Sequence, residues 1–276
     1  MNRPLRFEFD RWLHPATADR SAIRVAFLGT DIFVHWDPVY DVVSRSVTYS
    51  PEWNWDQGYV FDLQLYGSKE DTWGFRSYDE QPLDRTGIPE HILFRVGAPE
   101  PRVQPAATHT ACRDALRAFA AAGCTASNCH RTTSACDQGR CRTTPRAGLA
   151  LDSGAGLLDS IGRLANVTDR AAQSGVVALG VERFGFNMPL IEPGESSLSF
   201  LLYRMLLGRD AYRNQAGEFV VRPPTSAELT RARSWFGVTG EMPPNEVGWP
   251  RGVSPIDLVR TIQDWVEDGA TTADCD

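Results

Sequence analysis

Lysine is almost missing from this chain. Lys69 is the only lysine among the 28 lysine and arginine residues of a 276-residue sequence. A Walker-type phosphate loop needs a lysine directly after its last glycine, and Lys69 follows a serine, so that kind of nucleotide site is excluded. Strong use of arginine is typical of GC-rich genomes, and we expect a bacterial source.

Positive charge is also in deficit. The chain has 35 acidic residues and a net charge of −7. A general nucleic-acid binder neutralises phosphates with clustered basic residues, so we expect no nucleic-acid partner. The hydrophobic content of 42% and the charged content of 23% are ordinary for a globular protein with a sizeable core.

Long hydrophobic runs are absent. The most apolar window, residues 198–207, is interrupted by Arg204 and is far shorter than the ~20 residues that cross a bilayer. The first ten residues contain no apolar core of a secretory signal. We therefore expect a cytoplasmic protein that does not contact membranes.

Catalytic motifs of high specificity are missing as well. The sequence contains no G-x-S-x-G, H-E-x-x-H, C-x-x-C or G-x-G-x-x-G pattern. Their absence weakly favours a binding function over catalysis, although many enzymes assemble their sites from dispersed residues.

The first hundred residues have the pattern of β-strands. Apolar side chains alternate over residues 23–27, 32–36 and 59–66, and further strands are predicted at 42–49, 73–75 and 92–96. Short turns, such as the one at Gly29, join these segments. The pattern predicts an antiparallel sheet with one face on a core.

Beyond residue 150 the apolar period is that of helices. We predict helices over 156–173, 196–208 and 225–236, and from 255 to Gly269, with a short earlier helix at 111–122. Capping boxes begin the last two, at Thr225 and Ser254. We expect the tail beyond Gly269 to be loose.

These patterns predict an α+β fold in three parts. Residues 1–97 are β-rich, 98–148 form an irregular segment rich in Ala, Thr, Arg and Cys, and 149–276 are mainly helical. Five or six strands without a covering helix are expected to need the helical part, so we predict that 1–97 and 149–276 pack as one domain. Residues 123–148 contain no aromatic residue and no Leu, Ile, Val or Met, so this stretch cannot form a core of its own.

The irregular segment holds most of the cysteines. Four of them follow the spacing Cys124-x4-Cys129-x6-Cys136-x4-Cys141, with His130 inside the series. Four thiolates at this spacing can close tetrahedrally on a structural zinc, which would order the segment. Disulfides and unpaired thiols are the alternatives, and the sequence does not choose among them.

A second candidate site is the segment that contains His35. In an extended strand Asp31, His35 and Asp37 share a face, and Asp41 can turn back toward them. A carboxylate beside an imidazole suits a general base or a metal ligand. The alternative is the ordinary polar face of a solvated strand. The remaining isolated histidines, among them His91, are interpreted as structural or exposed.

The aromatic residues Trp53 and Trp55 form a candidate binding surface. Pro51 and Asn54 interrupt any strand there, so an exposed loop is expected. Aromatic side chains in such a loop can bind a sugar or a peptide. They can equally belong to the core or to cross-strand pairs.

Three functions remain. The first is a non-enzymatic protein that binds another protein, as immunity or adaptor proteins do. The second is a metal-dependent hydrolase that uses His35 with Asp31 and Asp37. The third is a thiol- or metal-sensing regulator that uses the cysteine segment.

A zinc site at Cys124, Cys129, Cys136 and Cys141 predicts about one zinc per chain by elemental analysis. Chelation should then lower the midpoint of thermal unfolding, because metal binding free energy is part of the folding free energy. A metal-free protein whose midpoint does not change with chelator would contradict the prediction.

Overall fold

A computed structural model describes residues 4–30, 32, 34, 36–51, 58–67, 74–96, 109–125, 130, 135–137, 140–142, 149–165, 184–185, 188–236, 242 and 249–275; at 36, 37, 51, 135–137 and 140–142 it describes the backbone alone. The chain divides into two compact units. Unit 1 comprises Met1–Ala107 and Val176–Phe184, and unit 2 comprises Thr108–Gly175 and Gly185–Asp276. The predicted α+β class is confirmed. The packing of 1–97 with 149–276 as one domain stays a prediction.

Unit 1 contains two small antiparallel sheets, where the sequence predicted one. The first sheet has the strand order β1–β4–β3, and the second has the order β2–β5–β6. The strands are β1 (Leu5–Glu8), β2 (Ile23–Phe27), β3 (Trp36–Asp41), β4 (Ser46–Pro51), β5 (Val60–Leu65) and β6 (Ile92–Arg95).

The first sheet corrects two predicted boundaries. Pro38 lies within β3 instead of ending a strand, because β3 is at the edge of its sheet, where a missing N–H is tolerated. The strand predicted at 42–49 begins only at Ser46. The Asp41 carboxylate accepts hydrogen bonds from the backbone N–H groups of Val43 and Ser44, at 3.0 and 3.3 Å, which holds residues 42–45 in a turn.

In the second sheet the strand predicted at 59–66 is found as β5, whereas the strand predicted at 73–75 is not found at its described residues, 74 and 75. β5 pairs with β2 on one side and with β6 on the other. The chain later returns to the end of β5, where the N–H of Phe75 donates to the Tyr66 carbonyl at 2.9 Å. Gly74 permits this return, since it has φ +108° and a Cβ there would lie 2.4 Å from the Tyr66 carbonyl carbon.

The predicted hairpin after β2 is also found in the backbone bonds. Phe27 donates to Ile32 at 3.3 Å, and Val34 donates to Val25 at 2.9 Å. This hairpin ends before Trp36, because the chain then joins the first sheet as β3.

The core of unit 1 is built around the inner face of β5. Phe61, which is 1% exposed, lies between Phe27 and Phe94, with ring centroids at 4.7 and 5.4 Å. Tyr49 of β4 belongs to the same buried cluster. Burial raises the pKa of its phenol, and the charge of Asp19 adds to the effect, so the hydroxyl remains a donor at neutral pH.

Unit 2 is mainly helical, and α5 packs against α1 and α3. Thr225 accepts the N–H of Glu228 at 3.2 Å and so caps α4, as its capping box predicted. A two-stranded hairpin lies in the cysteine segment. The elements are α1 (Cys112–Ala121), β7 (Ala135–Asp137), β8 (Arg140–Arg142), α2 (Gly154–Leu158), α3 (Phe200–Leu206), α4 (Ser226–Trp235) and α5 (Pro255–Glu267).

One predicted helix is wrong over part of its length. The helix predicted at 156–173 ends at Leu158. Ile161 instead forms a β-bridge with Ile191, and Leu164 forms one with Pro189. Pairing with a segment 25 to 30 positions away takes the place of a local helix at 159–165. Residues 166–173 lie outside the described part.

The C-terminal tail is held, which corrects the prediction of a loose end. Cys275 forms a disulfide with Cys112, the first residue of α1. Asp274 accepts the N–H of Cys112 at 3.1 Å, and the Trp265 indole donates to the Thr271 carbonyl at 2.9 Å. Residues 270–275, named the C-terminal clasp below, therefore close over the start of α1.

Within the described ranges, no helix is long and apolar enough to cross a bilayer.

Phe61→Ala should lower the free energy of unfolding by about 3–5 kcal/mol, since it leaves a cavity between two packed rings. Leu93→Ala, on the exposed side of the same sheet, is the matched control and should stay within about 0.5 kcal/mol of the wild type. Urea denaturation measures both. Equal losses in the two variants would contradict the assignment of inner and outer faces.

Candidate functional site

The predicted site around His35 falls largely on residues that the structure does not describe. Asp31 and His35 lie outside the described residues, and only the backbone of Asp37 is described, opposite Ser50. Asp41 uses both carboxylate oxygens in its own turn, where Oδ2 also accepts the Ser44 hydroxyl at 2.5 Å. The hydrolase role of these residues stays a prediction.

The four cysteines of the proposed zinc site are described only in part. Cys129 lies outside the described residues, and Cys124 is buried just after α1. The β7–β8 register places the backbones of Cys136 and Cys141 opposite each other. Among the residues with described side chains, no group of three or more His, Cys, Asp or Glu could hold a metal ion; the predicted set is not covered by that search.

His130 ties the cysteine segment to the rest of unit 2. Its Nδ1 lies 3.0 Å from the Leu149 carbonyl, and its own carbonyl accepts the N–H of Leu151 at 2.9 Å. Because a carbonyl only accepts, Nδ1 carries the proton in the neutral ring and Nε2 has the lone pair. Metal-ligating histidines have this arrangement, with one ring nitrogen bonded to a carbonyl.

The predicted aromatic surface is described only at its border. Trp53 and Trp55 lie outside the described residues. Tyr59, which follows them, is 54% exposed, and its ring meets the edge of Phe27 at 5.5 Å. An exposed aromatic residue therefore lies at the end of the second sheet, next in sequence to the predicted surface.

The outer face of the second sheet brings polar residues together. Side chains alternate along β5, so those that do not enter the core lie in rows across the three strands. The rows are Leu28–Val60–Arg95, Ala26–Asp62–Leu93 and Arg24–Gln64–His91.

Asp62, Gln64, Tyr66 and His91 form a hydrogen-bonded network on this face. Asp62 Oδ2 lies 2.8 Å from His91 Nδ1 and accepts from Gln64 Nε2 at 3.1 Å. The Tyr66 hydroxyl donates to Gln64 Oε1 at 3.2 Å, which orients the amide. The network thus fixes the position of the His91 ring.

Asp62 favours one tautomer of His91: Gln64 Nε2 also lies 3.0 Å from Nδ1, but the carboxylate oxygen is closer, at 2.8 Å, and is charged. An ionised carboxylate only accepts hydrogen bonds, so Nδ1 of His91 donates its proton to Asp62. In the neutral ring Nε2 then has the lone pair. His91 is exposed. The Asp62 side chain is only 17% exposed, and its Oδ1 is buried without a hydrogen-bond partner. A buried carboxylate with an unsatisfied oxygen favours a cationic donor in its surroundings.

Apolar side chains border the network. Leu93 lies beside Asp62 and is 56% exposed, and Leu28 is 50% exposed at the end of the same face. Ile32 is exposed in the hairpin next to β2. The outer face thus carries an oriented histidine, flanking leucines and the exposed Arg95. It can make directional polar contacts together with apolar ones.

Sequence reasoning missed the network because Asp62, the carboxylate that meets His91, lies 29 positions before it in the chain. The available signal was the placement of Asp62 and Gln64 two apart on the polar side of β5. His91 directly precedes the next strand of the same sheet. The pairing of β5 with β6, which the sequence does not specify, supplies the remaining information.

Asp62→Asn should change the tautomer of His91, because an amide no longer demands the Nδ1 proton. Ring nitrogen chemical shifts measure this change: in the neutral ring, the wild type should show a protonated Nδ1 and an unprotonated Nε2. Gln64→Leu is the control and should keep the wild-type tautomer. A wild-type ring protonated at Nε2 would contradict the geometry.

Comparison with known proteins assigns no family. The chain matches no protein-family model, no curated protein and no solved structure. The function proposed next therefore depends on the contacts and exposures of this chain.

Proposed function

We propose that this chain is a non-enzymatic protein that binds another protein through the second sheet of unit 1. The observation that carries the proposal is the exposure of large apolar side chains on this one small sheet and its hairpin. Leu28 and Leu93 are exposed on the outer face, and Tyr59 and Ile32 are exposed at the end of the sheet beside Phe27. Burying a leucine side chain is worth about 1.5–3 kcal/mol, so their cover by a partner would stabilise a complex.

The edge of the sheet supports the same function. β6 pairs with β5 on one side, and no other described strand pairs with it. A strand with one unpaired edge can accept an extended peptide by backbone hydrogen bonding. The alternating side chains of β6, with Leu93 and Arg95 on the outer face, would then select among peptides.

The charges on the face indicate the chemistry of the partner. Arg95 is exposed, and so is His91, which lies four residues before it on the same face. Asp62 is already engaged by His91 and Gln64. A partner segment that combines apolar side chains with a carboxylate fits this face, since Arg95 can bind the carboxylate directly.

An immunity-like or adaptor-like role is the form of binding that we propose. Trp53 and Trp55 would extend the apolar surface beyond Tyr59. A structural zinc at Cys124, Cys129, Cys136 and Cys141 is a separate proposal, supported by the tautomer of the neighbouring His130.

A cytoplasmic, bacterial location is likewise a proposal. The disulfide between Cys112 and Cys275 argues against the cytoplasmic part of this proposal, because cytosolic thiols are usually kept reduced. The redox state of this one pair in the living cell would therefore report the compartment.

The binding proposal is tested with three baits incubated in extract of the source cells. The baits are the wild type, Leu93→Asp and Val220→Asp. Val220 is the matched control because it is 59% exposed and belongs to unit 2. We expect a partner that the wild type and the control retain and that Leu93→Asp loses by at least about tenfold, as at an interface hot spot.

A partner lost equally from both variants would contradict the proposal, as would one retained by all three. Thermal unfolding of the baits provides the folding control, since substitutions at exposed positions change stability by only about 0.5 kcal/mol. Sedimentation of the purified protein distinguishes a second copy of this chain from a different partner.

A further inference from the structure

We propose that the disulfide between Cys112 and Cys275 is a thiol-exchange site, and that its reduction releases the C-terminal clasp from the start of α1. The inference concerns unit 2 alone and does not depend on the binding function. It uses the sixth cysteine, which lies far from the cysteine segment in sequence.

The clasp is built around the bridge. Cys112 begins α1. The preceding residue, Ala111, has no polar side-chain atom that could cap the helix. Asp274 takes this role by accepting the N–H of Cys112 at 3.1 Å. Asp268, at the end of α5, accepts the N–H of Thr110 at 2.6 Å. Asp268 and Asp274 thus supply the hydrogen-bond acceptors that the sequence before α1 lacks.

Space for the bridge is made by a glycine. Gly154 begins α2, and a Cβ at that position would lie 2.7 Å from both Cβ and Sγ of Cys275. A side chain there could not coexist with the bridged cysteine. The missing side chain at Gly154 therefore leaves the room that Cys275 occupies beside α2.

The two sulfurs differ in access. Cys112 is completely buried, whereas Cys275 is partly exposed. An incoming thiolate, from glutathione or a protein dithiol, therefore attacks Sγ of Cys275. A bond forms between the incoming sulfur and Cys275, the bond between Cys275 and Cys112 breaks, and its electron pair leaves on Cys112.

The position of Cys112 favours this direction of exchange. It lies at the N-terminus of a ten-residue helix, where backbone N–H groups stabilise a negative charge. A second thiolate then attacks the mixed disulfide, so that the reductant leaves as its own disulfide and Cys275 as a thiolate. Both protein thiolates take protons from water, and the net change is a two-electron reduction of the bridge.

Loss of the covalent link then opens the clasp. Once the bridge is reduced, Asp274 is held at the start of α1 by the N–H of Cys112 and by an ion pair with the exposed His109 at 3.8 Å. An exposed ion pair contributes little to stability, so residues 272–275 can detach without the bridge. Residues up to Thr271 remain tied by the Trp265 indole, so the release begins beyond that point.

The test follows backbone amide exchange by mass spectrometry in the full chain, oxidised and reduced with glutathione. Exchange should accelerate at least about tenfold at Cys112, whose N–H is bonded to Asp274, while Thr110, which is bonded to Asp268, and the amides of α4 keep their rates. The Cys275→Ser variant should show the same acceleration without reductant, which isolates this bridge from the other four cysteines. Asp274→Asn, left oxidised, should keep the clasp closed.

Alkylation and peptide mapping supply the second readout. Trapped intermediates should carry glutathione on Cys275 and a free thiol on Cys112. Glutathione found on Cys112 would overturn the mechanism, and two free thiols in the unreduced protein would overturn the bridge. Unchanged exchange after reduction, or loss of protection throughout α4 and α5, would overturn the local release.

Discussion

Phe61 and Asp62 are neighbours in the chain but lie on opposite faces of β5. The ring of Phe61 enters the core between Phe27 and Phe94, whereas the carboxylate of Asp62 holds the ring of His91. Because side chains of a strand alternate, the burial of Phe61 forces Asp62 outward. The candidate site therefore depends on the same packing that holds unit 1 together, and a shift of one residue in register would destroy both.

Unit 2 is stabilised by contacts between its C-terminal end and the helix α1. α5 packs on α1 and α3, and the clasp then returns to the first residue of α1. The disulfide joins positions 163 apart in sequence. A link of that span removes much conformational freedom from the unfolded chain, roughly 4 to 5 kcal/mol in the loop-entropy view. The tail is ordered by its tertiary contacts, although its composition resembles that of a free end.

The sequence predicted correctly those helices and strands that depend on residues close to each other in the chain. β5, β6, α1, α4 and α5 were all predictable from periodicity, and α4 also from its cap at Thr225, whereas the side-chain cap predicted at Ser254 for α5 is not formed. The helix predicted over 156–173 failed at Ile161, where a bridge to Ile191 took the place of local hydrogen bonds. At the candidate site, sequence placed Asp62 on a polar face but left His91 isolated.

The sequence by itself determined the class of each long element, the α+β composition and the side of β5 that enters the core. These follow from alternation, from the helical period and from caps such as Thr225, which act within a few residues. Only the tertiary structure decided that six strands form two sheets, that His91 meets Asp62, and that Cys275 reaches Cys112. The last two contacts join residues 29 and 163 positions apart, and a linear pattern does not record which distant partner a side chain or a sulfur will find.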